Sequence, residues 1–381
     1  MTWNWQKPEW PHFVWDQNKL VRAERLFLEE TSMASGAALH LTTEDKAALT
    51  VELMTGNAVD TSEIEGEALD RQSVQSSIQR QFGFKTQRKQ ATPAERGIAE
   101  LTVDTFRNYA TPLTSETLFS WHALVMGGRF DLDTVGGYRD HAEPMQIVSG
   151  LGRKRRVHFE APPSEKVAEE TERLMRWFNQ SDPKTATPPL PILARAGIVH
   201  LWFESIHPFE DGNGRIGRVL AEKALMQGMS NPTVTALSTT LLRRRKEYYH
   251  ALEKANVDLE ITDWLLWFAS AAIEAERSCR SQVEFLIAKT KLLDSLRGKI
   301  NARQEKALLR LFAAGPGGFV GGLSAKNYAT ITGAPSATVT RDLVDLVHKG
   351  ALKKTGERKT TRYFLHIEIA PATKVSIADI L

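Results

Sequence analysis

Apolar residues recur at three- and four-residue spacing over most of the chain, a period that predicts helices. The stretches Leu20–Glu30, Glu44–Met54 and Val59–Gln81 carry it, the second opening behind Thr42 and Thr43 as candidate caps. From Pro93 to Gly127 the pattern stays helical. Between Asp131 and Phe159 it gives way to glycines, polar turns and the valine-bearing runs Met145–Val148 and Arg156–Phe159, which predict a β-hairpin. Pro162 and Pro163 then punctuate the chain. A helix over Ser164–Asn179 follows, then a proline-rich loop over Pro183–Pro191, then helices from Ile192 to about Gly228 that continue, with breaks, to about Leu296.

Beyond Leu296 the character changes. A helix is expected over Ala302–Ala313, then a glycine-rich turn over Gly315–Gly322, then helices separated by Thr332 and Gly333. Two β-like runs close the unit, Leu352–Thr355 and Thr361–Leu365, joined by Gly356–Lys359. Helix, turn, helix and basic hairpin suggest a winged helix. The expected fold class is therefore mainly α: a helical core with an inserted β-hairpin, plus a C-terminal winged-helix module of α+β type. The expected boundaries are 1–94 for an N-terminal helical region, 95–296 for the core and 297–381 for the winged-helix-like module.

Composition excludes several classes. With 381 residues, 42% hydrophobic and 25% charged, the chain has the make-up of a soluble folded protein of two or three units, not of a disordered, collagenous or disulfide-built one. A formal charge of +3 is too small to coat a polyanion, so any nucleic-acid surface must be local. Cys279 is the only cysteine, which precludes an intramolecular disulfide and fits a reducing compartment. The N-terminus resembles no signal peptide, and the run Trp264–Ile273 falls short of the roughly 20 residues a membrane helix needs, so a cytoplasmic protein is expected. Trp3, Trp5, Trp10 and Trp15 crowd the N-terminus and predict an aromatic lid on a neighbouring helix, a recognition surface being the alternative.

The candidate chemistry lies in HPFEDGNGRIGR, His207–Arg218, between two apolar helical stretches. Gly212, Asn213 and Gly214 tolerate the backbone conformations that let successive amides converge on an anion. The following helix adds the positive end of its dipole, and Arg215 and Arg218, three apart, can reach the same anion. A polyphosphate fits such a site. Asp211 supplies a hard oxygen for magnesium, which is commonly held by one or two carboxylates together with substrate phosphates. His207 can accept a proton from an incoming hydroxyl near neutral pH. That division of labour suggests phosphoryl or nucleotidyl transfer, with Phe209 packing beneath the loop.

This string resembles the Fic family signature: HPF, any residue, D or E, GNGR, two residues, R, with every specified position filled. Residues 95–290 or so resemble the family core, including the run ALSTTLLRRRKEYYHALEKA and ITDWLLWF. The resemblance implies a helical protein adenylyltransferase that moves AMP from ATP to a hydroxyl of a target protein, releasing pyrophosphate. By motif position His207 would be the general base, Asp211 the Mg2+ ligand, Gly212, Asn213 and Gly214 the phosphate nest, and Arg215 and Arg218 phosphate contacts. Gly214, where some relatives bear lysine, favours adenylyl over kinase-like transfer. Tyr248 and Tyr249 resemble a tyrosine pair beside the adenine pocket, with a packing role as the alternative. The hairpin Gly136–Phe159 occupies the place of the family's flap, which adds a target segment as a strand. Its tip carries Arg153, Lys154, Arg155 and Arg156, read either as attracting an acidic target or as a solvated turn.

Upstream, TSEIEG at Thr61–Gly66 resembles the family's inhibitory pattern, and it places Glu65 on a helix before the core. The resemblance implies that Glu65 pairs with Arg218 and blocks the seat of the ATP γ-phosphate, because a carboxylate and a phosphate compete for one guanidinium fork. Two other functions stand beside autoinhibited AMP transfer. One is de-AMPylation, which some family members catalyse. The other is DNA binding by 297–381, with Thr338–His348 as recognition helix and Leu352–Leu365 as wing. From Arg341 to Arg362 seven Lys or Arg face three acids, and Asp342 and Asp345 would repel a phosphate backbone if they faced it, leaving the charge mainly on the wing. The expected partners are thus a target protein with a Tyr, Ser or Thr hydroxyl, ATP, Mg2+ and, weakly, DNA; a membrane is not expected, and the sequence is compatible with a homo-oligomer.

Overall fold

The computed structural model describes residues 2–86, 90–149, 156–229, 234–370 and 372–381. The chain divides into two units, Met1–Ser32 with Ala47–Glu276 and Thr373–Leu381, and Met33–Lys46 with Arg277–Ala372. Helices dominate both. In chain order the elements of the first half are α1 (Gln17–Ala38), α2 (Thr43–Ile64), α3 (Arg71–Gln81), α4 (Pro93–Arg107), α5 (Ser115–Val125), β1 (Gln146–Ser149) and β2 (Arg156–Glu160). They are followed by α6 (Ser164–Gln180), α7 (Ile192–Ile206), α8 (Asn213–Gly228), α9 (Leu237–Arg243), α10 (Arg245–Ala255) and α11 (Thr262–Leu296). Among the described residues no helix is long and apolar enough to cross a membrane.

The first unit is organised around α7, which is apolar on all sides and buried at every position from Leu193 to Ile206. α8 packs along it. The aromatic N-terminus lies over α7, where the Trp10 and Trp202 rings meet edge to face at 6.1 Å. β1 and β2 pair antiparallel, Gln146 opposite Glu160 and Ser149 opposite Arg156, with a register slip between Ile147 and Val148. Of the basic tip expected here, Arg153, Lys154 and Arg155 lie outside the described residues.

Two helices expected to be continuous are broken. Instead of one helix over Val59–Gln81, α2 ends at Ile64, the chain turns through Gly66 at φ 87°, and α3 restarts behind Asp70. The Asp70 carboxylate accepts the Ser73 N–H at 2.7 Å, the cap that helical periodicity conceals. TSEIEG therefore straddles a helix end: Thr61–Ile64 close α2 and Glu65 follows in the turn, not on the helix as expected. The helical stretch Pro93–Gly127 likewise divides into α4, opened by a Thr92–Glu95 capping box, and α5, capped by Thr114.

In the second unit α12 (Ala302–Phe312), α13 (Ala325–Thr332) and α14 (Ser336–His348) precede β3 (Leu352–Thr355) and β4 (Arg362–Leu365), which pair antiparallel. Leu308, Leu311, Tyr328, Leu343 and Leu346 form part of the common core. Asp342, which would repel a phosphate backbone if it faced one, is turned inward. It is 3% exposed, accepting from Arg303 Nε at 3.1 Å and from Tyr328 OH at 3.1 Å. Asp345 accepts from Gln304 Nε2 at 2.7 Å and pairs with Lys349.

Candidate active site

α7 stops where His207 takes a left-handed conformation, φ 50°, which turns the chain out of the helix at the histidine. Arg139 holds the loop in that path. It is 2% exposed, donates from Nε to the His207 carbonyl at 2.8 Å, and its own amide donates to the Pro208 carbonyl at 3.0 Å. Phe209 is fully buried with its ring stacked on His122 at 4.1 Å. The Asn213 side chain spans the loop, accepting the Phe209 N–H at 2.9 Å and donating to the Phe209 carbonyl at 2.7 Å. Gly212, at φ 79°, is the residue from which α8 starts, so the first amides of α8 and its dipole lie at the loop.

A cleft of about 1030 Å³ gathers Glu65, His207, Gly214, Arg218, Tyr248 and Tyr249 in its lining. Arg215 lines a separate cavity of about 290 Å³ together with Glu67 and Arg129. The site is thus divided: the histidine, one arginine and the tyrosines share one space, while the other arginine faces a second.

Asp211, Arg215 and Arg218 each have an ionic partner outside the motif. Glu65 Oε1 lies 2.6 Å from Arg218 Nη2, and Arg218, 1% exposed, also donates from Nε to Thr61 Oγ1 at 2.7 Å and from Nη2 to the Thr61 carbonyl at 2.9 Å. The threonine and the second glutamate of TSEIEG thus meet one guanidinium. The approach requires a glycine at 214, where a Cβ would stand 2.2 Å from Glu65 Oε1. Arg215 Nη1 donates to Glu67 Oε2 at 2.6 Å. Arg129 Nη1 donates to Asp211 Oδ2 at 2.6 Å, and the Gly212 amide donates to Asp211 Oδ1 at 2.6 Å.

These surroundings set the protonation states. Burial lowers the His207 ring to about 4, Arg139 adding to the effect while the Glu204 carbonyl, Glu65 and Asp211 oppose it, so the ring is neutral at pH 7 as a base must be. Burial works against the Arg218 charge, but Glu65 more than offsets it and the guanidinium pKa is raised. Burial likewise pushes the Asp211 carboxyl up, and Arg129 and the Gly212 amide outweigh it, holding the group below its ordinary value and ionised. Among the described residues no group of three or more His, Cys, Asp or Glu could hold a metal ion alone. Asp211 is therefore a single carboxylate beside the loop, suited only to a cation whose remaining ligands come from elsewhere. Tyr248 is fully buried, its hydroxyl 2.8 Å from His200 Nε2, whereas the Tyr249 hydroxyl donates to the Ile64 carbonyl at 3.3 Å.

Sequence reasoning missed Glu67, Arg129, Arg139 and Glu204. Glu67 carried one hint, lying two residues past Glu65. The two loop arginines carried none, because their partners are fixed by tertiary folding: Arg129 meets a residue 82 positions away.

A buried helix, a histidine at its end and a glycine-led helix start with two arginines stand together in a helical core. Residues 112–225 match the Fic/DOC family model, and the chain carries a Fic domain. Residues 3–84 match a domain of unknown function, DUF4172. The chain is similar to protein adenylyltransferase fic-1 of Caenorhabditis elegans, 31% identical over 120 residues that cover 31% of this chain and 22% of the relative. It is also similar to a probable protein adenylyltransferase of Aquifex aeolicus, 32% identical over 97 residues that cover 26% of each. The chain thus spans about a quarter of the length of the curated relatives it matches. The crystal structure of a Fic family protein from Desulfovibrio desulfuricans G20 shares the fold, with a TM-score of 0.51 at 21% identity over 90% of this chain and 95% of that one.

Proposed function

We propose that this chain transfers AMP from ATP to a hydroxyl side chain of a target protein and that Glu65 holds the reaction back. The carrying observation is that His207, Gly214, Arg218 and Glu65 line one cleft. In the reaction a Tyr, Ser or Thr hydroxyl oxygen attacks the α-phosphorus, the bond to the α–β bridging oxygen breaks, pyrophosphate leaves, and the hydroxyl proton passes to His207. Burial keeps His207 neutral and able to take it. Gly212, Asn213 and Gly214 contribute the amides at the start of α8, and Arg215 and Arg218 are the guanidinium contacts for phosphate. Mg2+, when bound, neutralises phosphate charge; Asp211 is the carboxylate that would hold it, with the nucleotide's own oxygens completing the set. Tyr248 and Tyr249 line the end of the cleft assigned to adenine, and the β1–β2 hairpin, whose Ile147, Val148 and Ser149 line the same cleft, is the flap that takes a target strand.

The inhibitory reading rests on the 2.6 Å contact between Glu65 and the arginine assigned to the γ-phosphate. The three-part division at 94 and 296 belongs to the same proposal. Mass spectrometry of proteins incubated with ATP and the Glu65→Gln chain tests it: an AMP adduct supports transfer, whereas loss of AMP from a pre-modified protein with no gain on an unmodified one supports de-AMPylation instead.

A second activity is favoured by Asp342 and Asp345 being turned into ion pairs and hydrogen bonds of their own unit. This leaves exposed Thr340 and Arg341 on α14 and exposed Lys353, Lys354 and Arg358 around the hairpin, with Asp342 buried and the Asp345 charge paired to Lys349. We assign residues 297–381 as a winged helix that binds DNA, α14 entering the groove and the hairpin meeting phosphates. A fluorescence-anisotropy titration with duplex DNA tests it. Absence of binding even at low salt would make the module a protein-docking one.

A further inference from the structure

His207 needs more than a neutral ring. To accept a proton at Nε2 it must carry its own hydrogen on Nδ1, and something must fix that tautomer. Nδ1 is buried and has no hydrogen-bond partner. The carboxylate oxygen facing it is Glu204 Oε2, 3.9 Å away and three residues earlier on α7. Glu204 is 7% exposed, its other oxygen Oε1 is also buried without a partner, and both residues line the same cleft. His207 follows the last turn of α7, which carries Glu204, so a change in the Glu204 rotamer of about 1 Å brings the pair to hydrogen-bond distance. α8 leaves room for the carboxylate through Gly217, where a Cβ would stand 2.4 Å from Glu204 Oε1. A buried carboxylate oxygen that makes no hydrogen bond, in a side chain that faces a buried imidazole nitrogen making none, is not explained by packing.

We propose that Glu204 is the positioning residue of His207: its carboxylate accepts the Nδ1–H, leaves Nε2 free to take the proton of the acceptor hydroxyl, and stabilises the imidazolium so formed. This rests on the AMP-transfer reading. The proton stays on Nε2 until His207 releases it to solvent, and Glu204 neither gains nor loses one in the step.

The groups around the pair define how it responds. Glu204 faces Arg218 from α8, Glu65 from the end of α2 and Tyr248 from α10, while His207 faces Arg139, Glu65 and Asp211. Burial raises the Glu204 carboxyl to about 8, with Arg218 lowering and Glu65 raising it, so with Glu65 in place the group is largely protonated at pH 7 and the positioning role belongs to the chain from which the Glu65 carboxylate has been released. Removing the Glu65 charge therefore favours the ionised carboxylate that the positioning role needs. The Glu204 backbone carbonyl also favours a protonated ring and is the competing way of fixing it.

The test uses the full chain in a Glu65→Gln background, with Glu204→Leu and Glu204→Gln added separately. Nitrogen NMR of labelled histidine, assigned by His207→Ala, reads the tautomer whether or not the protein transfers AMP, so failure of the positioning role is distinguishable from failure of the functional reading. The parent should hold the proton on Nδ1, and Glu204→Leu should shift it towards Nε2. In both variants kcat should fall about 10- to 100-fold, with KM for ATP within about twofold. The acid limb of the kcat profile should move to lower pH, because the missing carboxylate favoured the imidazolium. Should the leucine variant fail to fold, the glutamine variant decides: its amide oxygen can keep the tautomer but supplies no charge, so kcat and the acid limb must still change. An unaltered tautomer in a folded leucine variant would assign the task to the backbone carbonyl and overturn the proposal, as would a glutamine variant with the parent's kcat and pH profile.

Discussion

Substituting Glu65 should activate the chain by an amount the contact itself bounds. Arg218 is 1% exposed and Glu65 29%, so the 2.6 Å pair is shielded on one side and reached by water on the other. A hydrogen bond to a charged group contributes about 1.5–3 kcal/mol, which at about 1.4 kcal/mol per decade favours the latched arrangement by about 10- to 150-fold. Glu65→Gly removes that preference and should raise AMP incorporation at limiting ATP by the same factor. Glu65→Gln keeps a neutral acceptor contributing about 1 kcal/mol, so its gain should be smaller, a few-fold to about 25-fold. Glu65→Gly leaves Arg218 held by Thr61 alone, and both variants should melt at lower temperature without nucleotide, glycine the lower, the difference from the parent narrowing as ATP is added. Incorporation of radiolabelled AMP, measured with melting and ATP binding on the same samples, tests the series. Folded, ATP-binding variants with unchanged incorporation, or glutamine exceeding glycine, would refute the reasoning.

Asp211→Ala should lose the Mg2+ dependence of ATP orientation and free Arg129 from its 2.6 Å contact; a wild-type magnesium titration in that variant would rule out the ligand role. Glu276, 1% exposed, has its carboxyl raised to about 8 by burial, with Glu222 and Glu30 pushing the same way. The folded state therefore holds that proton where the unfolded chain has released it, so the contribution of Glu276 to stability is greatest below about pH 4.5 and falls as pH rises towards 8. Glu276→Gln should flatten that decline and raise the melting temperature at pH 8, and an unchanged slope would show that Glu276 ionises freely. For the C-terminal module, Lys353→Ala, Lys354→Ala and Arg358→Ala combined should reduce the slope of log affinity for DNA against log salt by about 0.9 for each phosphate no longer neutralised. AMP transfer to a small target should not change in that variant.

What could be read from the sequence was local chemistry at fixed spacing. HPFEDGNGRIGR could be read as a candidate anion site because glycine freedom, a helix start and two arginines sit within twelve consecutive positions. Glu65 could be assigned to Arg218 only through family resemblance, since nothing local links residues so far apart, and the pair is found at 2.6 Å. The partners of Asp211 and Arg215 were hidden for the same reason, as surface-type residues whose contacts depend on the whole fold. The break between α2 and α3 was hidden because Gly66 and the Asp70 cap interrupt a stretch whose apolar period continues across them. For Asp342 the sequence left open whether it faces a phosphate backbone, and the answer depends on the fold, because Arg303 and Tyr328 receive it inside the unit. Helical period specifies which face is apolar, and cannot tell when a buried acid has its own donors.

The most direct measurement is incubation of the Glu65→Gly chain, with and without His207→Ala, in ATP labelled at the α-phosphate and, separately, at the γ-phosphate. Label retained on protein is then counted and its adduct mass determined. The account predicts retention of the α-label alone, as an AMP adduct on a hydroxyl side chain, with equimolar pyrophosphate released and retention abolished by His207→Ala while ATP still binds. Retention of the γ-label, or an α-label adduct that persists at the same rate without His207, would contradict it.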